Sequence, residues 1–145
     1  MTLFVKRLAK SENGFTKEEF SMFKHENEDS SGLYCEKLNV SINGNHILKD
    51  VSLKIPKNKI TCIVGPSGCG KSTLLKTFNR IIDMTEGVKI SGKIMLGSEN
   101  IADMSFNDLT EIRRRIGLVP QRPCPLPMSI YDNIAYGCRI HGITK

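Results

Sequence analysis

The chain has 145 residues, a length that suits one ordinary domain or part of a larger one. Its 39% hydrophobic and 25% charged residues are close to the globular average, which argues against wholesale disorder. The net charge of +6 is compatible with an anionic partner, but six Phe, three Tyr and no Trp form no basic–aromatic array, so nucleic-acid binding has little support.

Cysteine, histidine and apolar runs exclude several further classes of protein. The five cysteines show no C-x-x-C pairing and the three histidines are scattered, so neither a zinc site nor a disulfide framework follows. A reducing cytosol is the simplest assumption. No apolar run approaches the ~20 residues that span a bilayer, and no signal peptide is predicted. Any membrane association therefore has to come through a partner.

Residues 1–32 differ from the rest of the chain and are predicted to be an N-terminal extension, either mobile or folded as a short helix. Residues 27–32 are polar and turn-rich, which is typical of a linker. Thr16 and Glu19 form a capping-box pattern that favours a short helix before this linker. We assign the extension no chemistry.

The pattern changes at Leu33, where apolar side chains begin to alternate with polar ones. This period of two is typical of half-exposed strands. Two such stretches, joined by a turn at Asn43-Gly44-Asn45, predict an antiparallel layer. The next stretch, residues 60–64, is apolar nearly throughout, which favours a strand that is covered on both faces.

A helix and a hairpin are predicted to follow. The helix comes after a glycine-rich loop at residues 65–70 and is expected to end by Gly87. Residues 88–96 and 99–101 then predict a hairpin. The buried stripe of the helix is predicted from apolar residues at helical spacing, namely Leu74, Leu75, Phe78, Ile81 and Ile82.

Two more helices are predicted in the last third of the chain. A capping pattern at Ser105 begins a charged helix, and residues 113–115 are interpreted as its solvated end. Residues 116–119 are predicted to be a second apolar strand. Ser129 and Asp132 complete a capping box at the start of a final helix. The alternation of strand and helix around a glycine-rich loop indicates an α/β domain with a parallel core.

Residues 65–73 (GPSGCGKST) match the phosphate-binding pattern G-x-x-x-x-G-K-[ST], with a strand predicted before them and an amphipathic helix after them. In such a loop, backbone N–H groups point toward an anion and the helix N-terminus adds its positive dipole end. Lys71 supplies a cation for the β- and γ-phosphates, Ser72 offers a hydroxyl to Mg²⁺, and Thr73 adds one near the α-phosphate. The context on both sides makes a chance glycine-rich turn a poor alternative. The predicted nucleotide-binding residues are Gly65, Pro66, Ser67, Gly68, Cys69, Gly70, Lys71, Ser72 and Thr73.

A proline-rich stretch follows the second predicted apolar strand. Four of the six prolines lie within residues 120–127, where they exclude a helix or a central strand. Gln121 is the residue that this stiffened loop presents. On its own, the stretch is also consistent with a surface turn that carries an incidental glutamine.

The order of these features resembles the ATP-binding-cassette (ABC) transporter ATPases, whereas P-loop kinases and GTPases share only the phosphate-binding loop. The resemblance implies a P-loop NTPase core with an antiparallel β subdomain. It implies that Gln121 contacts Mg²⁺ and the attacking water, so that Lys71 and Gln121 are catalytic and Ser72 and Gln121 bind the metal. Two segments, GPSGCGKSTLLKTFNR and QRPCPLPMSIYDNIAYG, are very similar in sequence to the ATP-binding subunits of bacterial phosphate importers.

The resemblance also implies cofactors and partners. ATP and Mg²⁺ are the expected cofactors, and hydrolysis is expected to drive the import of inorganic phosphate. The expected partners are a second ATPase subunit, transmembrane permease subunits and, indirectly, a periplasmic or extracellular phosphate-binding protein, at the cytoplasmic face of the membrane. The alternatives are a polar amino-acid importer, a truncated product that binds nucleotide without hydrolysing it, and a P-loop kinase, for which no acceptor-binding segment is visible.

The resemblance covers residues 33–145 and departs from the family pattern in two ways. The family stacks an aromatic side chain under adenine, but none stands near Ile42 and Asn43. We also find no L-S-G-G-Q signature and no apolar strand ending in Asp-Glu, which supplies the general base. We therefore expect the N-terminal part of an ABC ATPase domain, ending at the start of the helical subdomain, which alone binds ATP without hydrolysing it.

Overall fold

The computed structural model describes residues 4–7, 32–122 and 124–143, whose strands form two separate sheets. The strands are β1 (Phe4–Arg7), β2 (Leu33–Ile42), β3 (Asn45–Ile55), β4 (Thr61–Val64), β5 (Val88–Leu96) and β6 (Glu99–Asn100). The helices are α1 (Lys71–Phe78), α2 (Leu109–Arg115) and α3 (Ile130–Ile140), with short 3-10 helices at Ile81–Met84 and Ile101–Asp103.

The larger sheet is antiparallel throughout and has the strand order β3-β2-β5-β6. A two-residue turn at Asn43-Gly44 joins β2 to β3, and the two residues have φ of 50° and 80°. An Asn-Gly pair suits this turn because both residues adopt a left-handed backbone at low cost. The predicted antiparallel layer and the predicted hairpin of β5 and β6 are both confirmed.

The smaller sheet contains β4, the strand that leads into the glycine-rich loop. β4 pairs in parallel with β1, with Arg7 opposite Val64, in agreement with a parallel core. The prediction that residues 60–64 are covered on both faces is wrong here, since Ile60 is 64% exposed and Val64 is 48% exposed. Among the described residues, β1 is the one strand that pairs with β4, so no strand is bonded to the other edge of β4.

Four residues of the N-terminal extension, Phe4–Arg7, form β1, a strand that the sequence analysis did not predict. The local sequence gives no signal for this strand, because its partner β4 is far away along the chain. The predicted helix at Thr16 and Glu19 lies outside the described residues.

The hydrophobic core joins the larger sheet to α1, α2 and the second 3-10 helix. Each fully buried aliphatic side chain in it stabilises the fold by about 1.5–3 kcal/mol. Because α1 belongs to this core, the glycine-rich loop is attached to a packed structure on its C-terminal side. The buried core residues are Cys35, Leu38, Val40, Leu48, Leu53, Leu74, Phe78, Ile94, Ile101, Leu109 and Ile112.

Helix α1 ends at Phe78, earlier than the sequence pattern predicts. Arg80 follows with a φ of 57°, a left-handed conformation that cannot continue a right-handed helix. A separate 3-10 helix then carries Ile82. Leu74, Phe78 and Ile82 are buried as predicted, whereas Leu75 is exposed.

The predicted cap at Ser129 is confirmed, whereas the cap predicted at Ser105 is wrong, because α2 begins only at Leu109, with Asp108 as its N-cap and no side-chain cap hydrogen bond. Ser129 Oγ accepts the backbone N–H of Asp132 at 3.0 Å and so caps α3, none of whose residues is buried. The predicted strand at residues 116–119 does not form, because this segment pairs with no strand among the described residues. Within the part of the chain that the structure describes, no helix is long and apolar enough to cross a membrane.

Candidate nucleotide-binding site

The phosphate-binding pattern begins after β4 and runs into α1, as predicted. Two of its glycines, Gly68 and Gly70, are required for different structural reasons. Gly68 and Gly70 have φ of +78° and +94°, which side chains rarely adopt. A Cβ at Gly70 would also come 3.3 Å from the carbonyl oxygen of Ile47, whereas a Cβ at Gly68 would meet nothing within 4 Å. The loop therefore needs Gly68 for its backbone conformation and Gly70 for both conformation and space.

The backbone N–H groups in the first turn of α1 have no side-chain partner among the residues that the structure describes. Its N-cap is Gly70, which offers no side chain, and the first turn contains no acidic residue. The first helical hydrogen bond runs from the N–H of Leu74 to the carbonyl of Gly70 at 2.9 Å. The earlier N–H groups lie at the positive end of the helix dipole. This combination favours the binding of an anion such as a phosphate group.

The ammonium group of Lys71 lies against the loop that precedes it. Its Nζ donates to the carbonyl oxygens of Gly65 at 2.8 Å and Pro66 at 2.6 Å. It also lies 3.6 Å from the Sγ of Cys69. The cation is thus held within the loop that leads into the uncapped end of α1, and a cation together with such a helix end suits a polyphosphate.

Hydroxyl groups follow directly after Lys71 in α1. Ser72 is exposed, so its hydroxyl is open to a metal ion bound at the phosphates. Thr73 is half-buried, and its carbonyl oxygen accepts the Thr77 hydroxyl at 2.7 Å. The nine predicted nucleotide-binding residues occupy the loop after β4 and the first turn of α1, and the binding of nucleotide by them and of Mg²⁺ by Ser72 stays a prediction.

Gln121 lies in the coil between α2 and α3 and is exposed. Across residues 32–122 and 124–143, no hydrogen bond joins Gln121 to the phosphate-binding loop. Its contact with Mg²⁺ and the attacking water stays a prediction.

The coil beyond Gln121 is fixed by Asn133 of α3, a residue that the sequence analysis missed. Its Oδ1 accepts the N–H of Leu126 at 2.8 Å. Its Nδ2 donates to the carbonyl oxygens of Leu126 and Met128, both at 3.1 Å, and of Ser129 at 3.0 Å. The available signal was an asparagine in the first turn of a helix, since Asn side chains bond readily to nearby backbone.

The basic run at residues 113–115 is only partly the solvated helix end that the sequence analysis proposed. Arg114 and Arg115 are exposed and pair with glutamates. Arg113 is half-buried instead, and its guanidinium donates to the backbone carbonyls of Asn79 and Arg80. The interpretation is therefore wrong for Arg113, because the end of α1 supplies acceptors that the local sequence does not show.

Comparison with known proteins gives two findings. Residues 48–145 match the model of the ABC transporter family. The chain is also similar to the phosphate import ATP-binding protein PstB 1 of Yersinia pestis bv. Antiqua (strain Antiqua) and of Yersinia pseudotuberculosis serotype I (strain IP32953). Each relative is 43% identical over 120 residues, which is 83% of this chain and 44% of the relative. The chain thus spans less than half the length of these curated relatives.

Proposed function

The chain belongs to the ABC transporter family, and from this premise we propose that it is part of an ATP-binding subunit that couples ATP hydrolysis to the import of inorganic phosphate. One observation carries the nucleotide-binding part: Lys71 and the uncapped N-terminus of α1 meet at one glycine-rich loop. The phosphate cargo is supported by the 43% identity to proteins named as phosphate import ATP-binding proteins.

The residues of the loop have separate roles in this proposal. The loop N–H groups and Lys71 hold the β- and γ-phosphates, and Ser72 with Gln121 binds Mg²⁺. Mg²⁺, when bound there, would supply positive charge that offsets the charge of the phosphoryl group being transferred. In the whole subunit, Lys71 would stabilise the negative charge on the phosphoryl oxygens while water attacks in line, passes its proton to the general base that the sequence analysis does not find in this chain, and displaces ADP. Gln121 orients that water.

Partners complete the proposal, because coupling requires a protein that crosses the membrane. Two ATP-binding subunits act together, and the loop that carries Gln121 contacts a transmembrane permease subunit at the cytoplasmic face. A periplasmic or extracellular phosphate-binding protein is an indirect partner. The exposure of Gln121 and the stiffness given by nearby prolines suit a surface that transmits movement to a partner.

Nucleotide binding is tested by calorimetric titration of MgATP into the 145-residue chain and two variants. Lys71→Ala should lose most of the affinity, because the β- and γ-phosphates lose their cation. The matched control is Lys76→Ala, which removes an exposed lysine later in the same helix. It should leave the affinity within about threefold of the unchanged chain. Equal MgATP affinity in all three chains would show that Lys71 does not bind the phosphates and would refute the proposed nucleotide-binding site.

The cargo is tested in cells that carry Lys71→Ala in the gene for this protein. The uptake of radiolabelled phosphate and of a radiolabelled polar amino acid is followed in parallel. The proposal expects the loss of phosphate uptake alone. A selective loss of amino-acid uptake would instead assign the subunit to a polar amino-acid importer, and the loss of neither would refute coupling to import.

A further inference from the structure

Helix α1 ends in a turn whose backbone carbonyls are bound by an arginine from another helix. Asn79 is the C-cap of α1 and Arg80 follows it, and the carbonyl oxygen of Arg80 also accepts the backbone N–H of Asp83 at 3.2 Å. Here Arg113 of α2 donates from Nε to the carbonyl oxygen of Asn79 at 3.3 Å and from Nη2 to that of Arg80 at 3.1 Å. The dipole makes this end of α1 negative, which favours a cation there.

A second arginine extends the contact to the hairpin of the larger sheet. Arg80 Nη1 donates to the carbonyl oxygens of Ile101 at 2.8 Å and Ala102 at 2.6 Å. The rest of its guanidinium pairs with Asp83, with Nη2 and Oδ2 2.7 Å apart. The Arg80 side chain is only 15% exposed, so these bonds are partly shielded from water. The two arginines thus connect the end of α1 to both α2 and the segment after β6.

The chemistry of guanidinium gives these contacts a direction that apolar packing lacks. Leu109 and Ile112 bury one side of α2 in the core, but hydrophobic burial is non-directional. Two N–H···O=C bonds from the planar guanidinium of Arg113 are satisfied in one relative placement of α1 and α2. A lysine at this position would keep the positive charge but would lose the planar, fixed arrangement of N–H donors that lets one guanidinium bond two carbonyls. The placement of α2 against α1 therefore depends on the shape of the Arg113 side chain as well as on its charge.

Helix α2 leads directly into the coil that carries Gln121. This coil pairs with no strand in the part of the chain that the structure describes, so its starting point is set by α2. We propose that Arg80 and Arg113 are positioning residues that set the place of the Gln121 coil relative to the phosphate-binding loop. The proposal deepens, and rests on, the function proposed above for Lys71 and Gln121.

The test measures that placement directly and without nucleotide. Spin labels are attached to two native exposed cysteines, Cys62 in β4 and Cys124 just beyond Gln121. Cys69→Ala and Cys138→Ser remove the other accessible thiols, while Cys35 is buried and stays. Pulsed electron paramagnetic resonance then gives the distribution of distances between the two labels.

We expect one narrow distribution in this background and the loss of that narrow distribution in Arg113→Lys and in Arg80→Lys. The matched control is Arg114→Lys, which makes the same change at the neighbouring exposed arginine, whose partner is Glu111. The control should keep the narrow distribution. Each chain is measured well below its own thermal midpoint, so that partial unfolding does not contribute to the width. If Arg113→Lys does not fold, the distance distribution of Arg80→Lys alone is compared with that of the control.

A distribution in Arg113→Lys or Arg80→Lys as narrow as that of the control would overturn the proposal and leave the arginines with a purely structural role. MgATP affinity is measured on the same substitutions with Cys69 retained. It should stay within about threefold of the unchanged chain, because the loop N–H groups and Lys71 hold the phosphates, whereas Gln121, which the arginines place, acts on the metal and the attacking water. Absence of MgATP binding in the unchanged chain would refute the proposed function, while the distance measurement would still decide the role of the arginines.

Discussion

Single residues of the phosphate-binding loop differ in what they contribute to stability, and Gly68 and Gly70 show this most directly. Both have positive φ, where a side chain costs about 1–2 kcal/mol. At Gly70, an added Cβ would also stand 2.8 Å from Leu48 Cδ2 and 3.3 Å from the oxygen of Ile47. The Leu48 side chain can move, but the backbone oxygen of Ile47 cannot do so without disturbing β3.

We predict that Gly68→Ala lowers the free energy of unfolding by about 1–2 kcal/mol and that Gly70→Ala lowers it by more. The two substitutions add the same methyl group to the same loop, so each is the control for the other. Urea denaturation followed by circular dichroism, in the absence of nucleotide, measures both losses. Equal losses would show that the space beside Gly70 imposes no restriction of its own.

At the scale of elements, α3 is held at its N-terminus by polar contacts, since none of its residues is buried. The Ser129 hydroxyl donates to the Asp132 carboxylate at 2.5 Å, and Arg139 Nη1 lies 2.7 Å from the same group. These two hydrogen bonds, that from Ser129 first, lower the pKa of Asp132 from its usual 3.8. A carboxyl group with a lower pKa in the folded state stabilises the fold fully above its unfolded pKa. That stabilisation is lost as the pH falls through the folded pKa.

We predict that α3 frays in acid as the pH falls below the usual 3.8 and approaches the lower folded pKa of Asp132. Ser129→Ala should raise the pKa of Asp132 by more than Arg139→Gln does, because the serine makes the larger contribution. Carbon-13 NMR titration of the Asp132 carboxyl group measures both changes. A larger rise in Arg139→Gln would reverse the order of the two causes.

The elements that the sequence predicted are those with local signals. Three features depend on residues only a few positions apart: the turn at Asn43-Gly44, the cap at Ser129 and the phosphate-binding loop. A short stretch of sequence is therefore enough to predict each of them. The bond from Arg113 to Asn79 joins residues 34 positions apart and exists only once the core has formed. The segment at residues 116–119 has a strand-like composition, but a strand also needs a partner, which no local pattern supplies.

At the scale of the whole molecule, the packed core of the described residues is accompanied by large apolar side chains that face solvent. On α3, Ile130 is 83% exposed and Ile134 is 78% exposed, and their spacing of four residues puts them on one face of the helix. Val119 and Ile60 are exposed in coil segments elsewhere. Clustered apolar surface of this kind favours association between molecules.

We predict that the 145-residue chain self-associates through α3 as its concentration rises. The double variant Ile130→Lys with Ile134→Lys should shift the population toward monomers, because it replaces the shared apolar face with charge. The matched control is Asn107→Lys with Thr110→Lys, which adds the same charge at two exposed polar residues outside α3 and should leave the association unchanged. Sedimentation velocity over a range of concentrations measures all three chains. If both double variants dissociate equally, net charge rather than the α3 face controls association; if the unchanged chain is a monomer throughout, its exposed apolar side chains are too dispersed to drive contact.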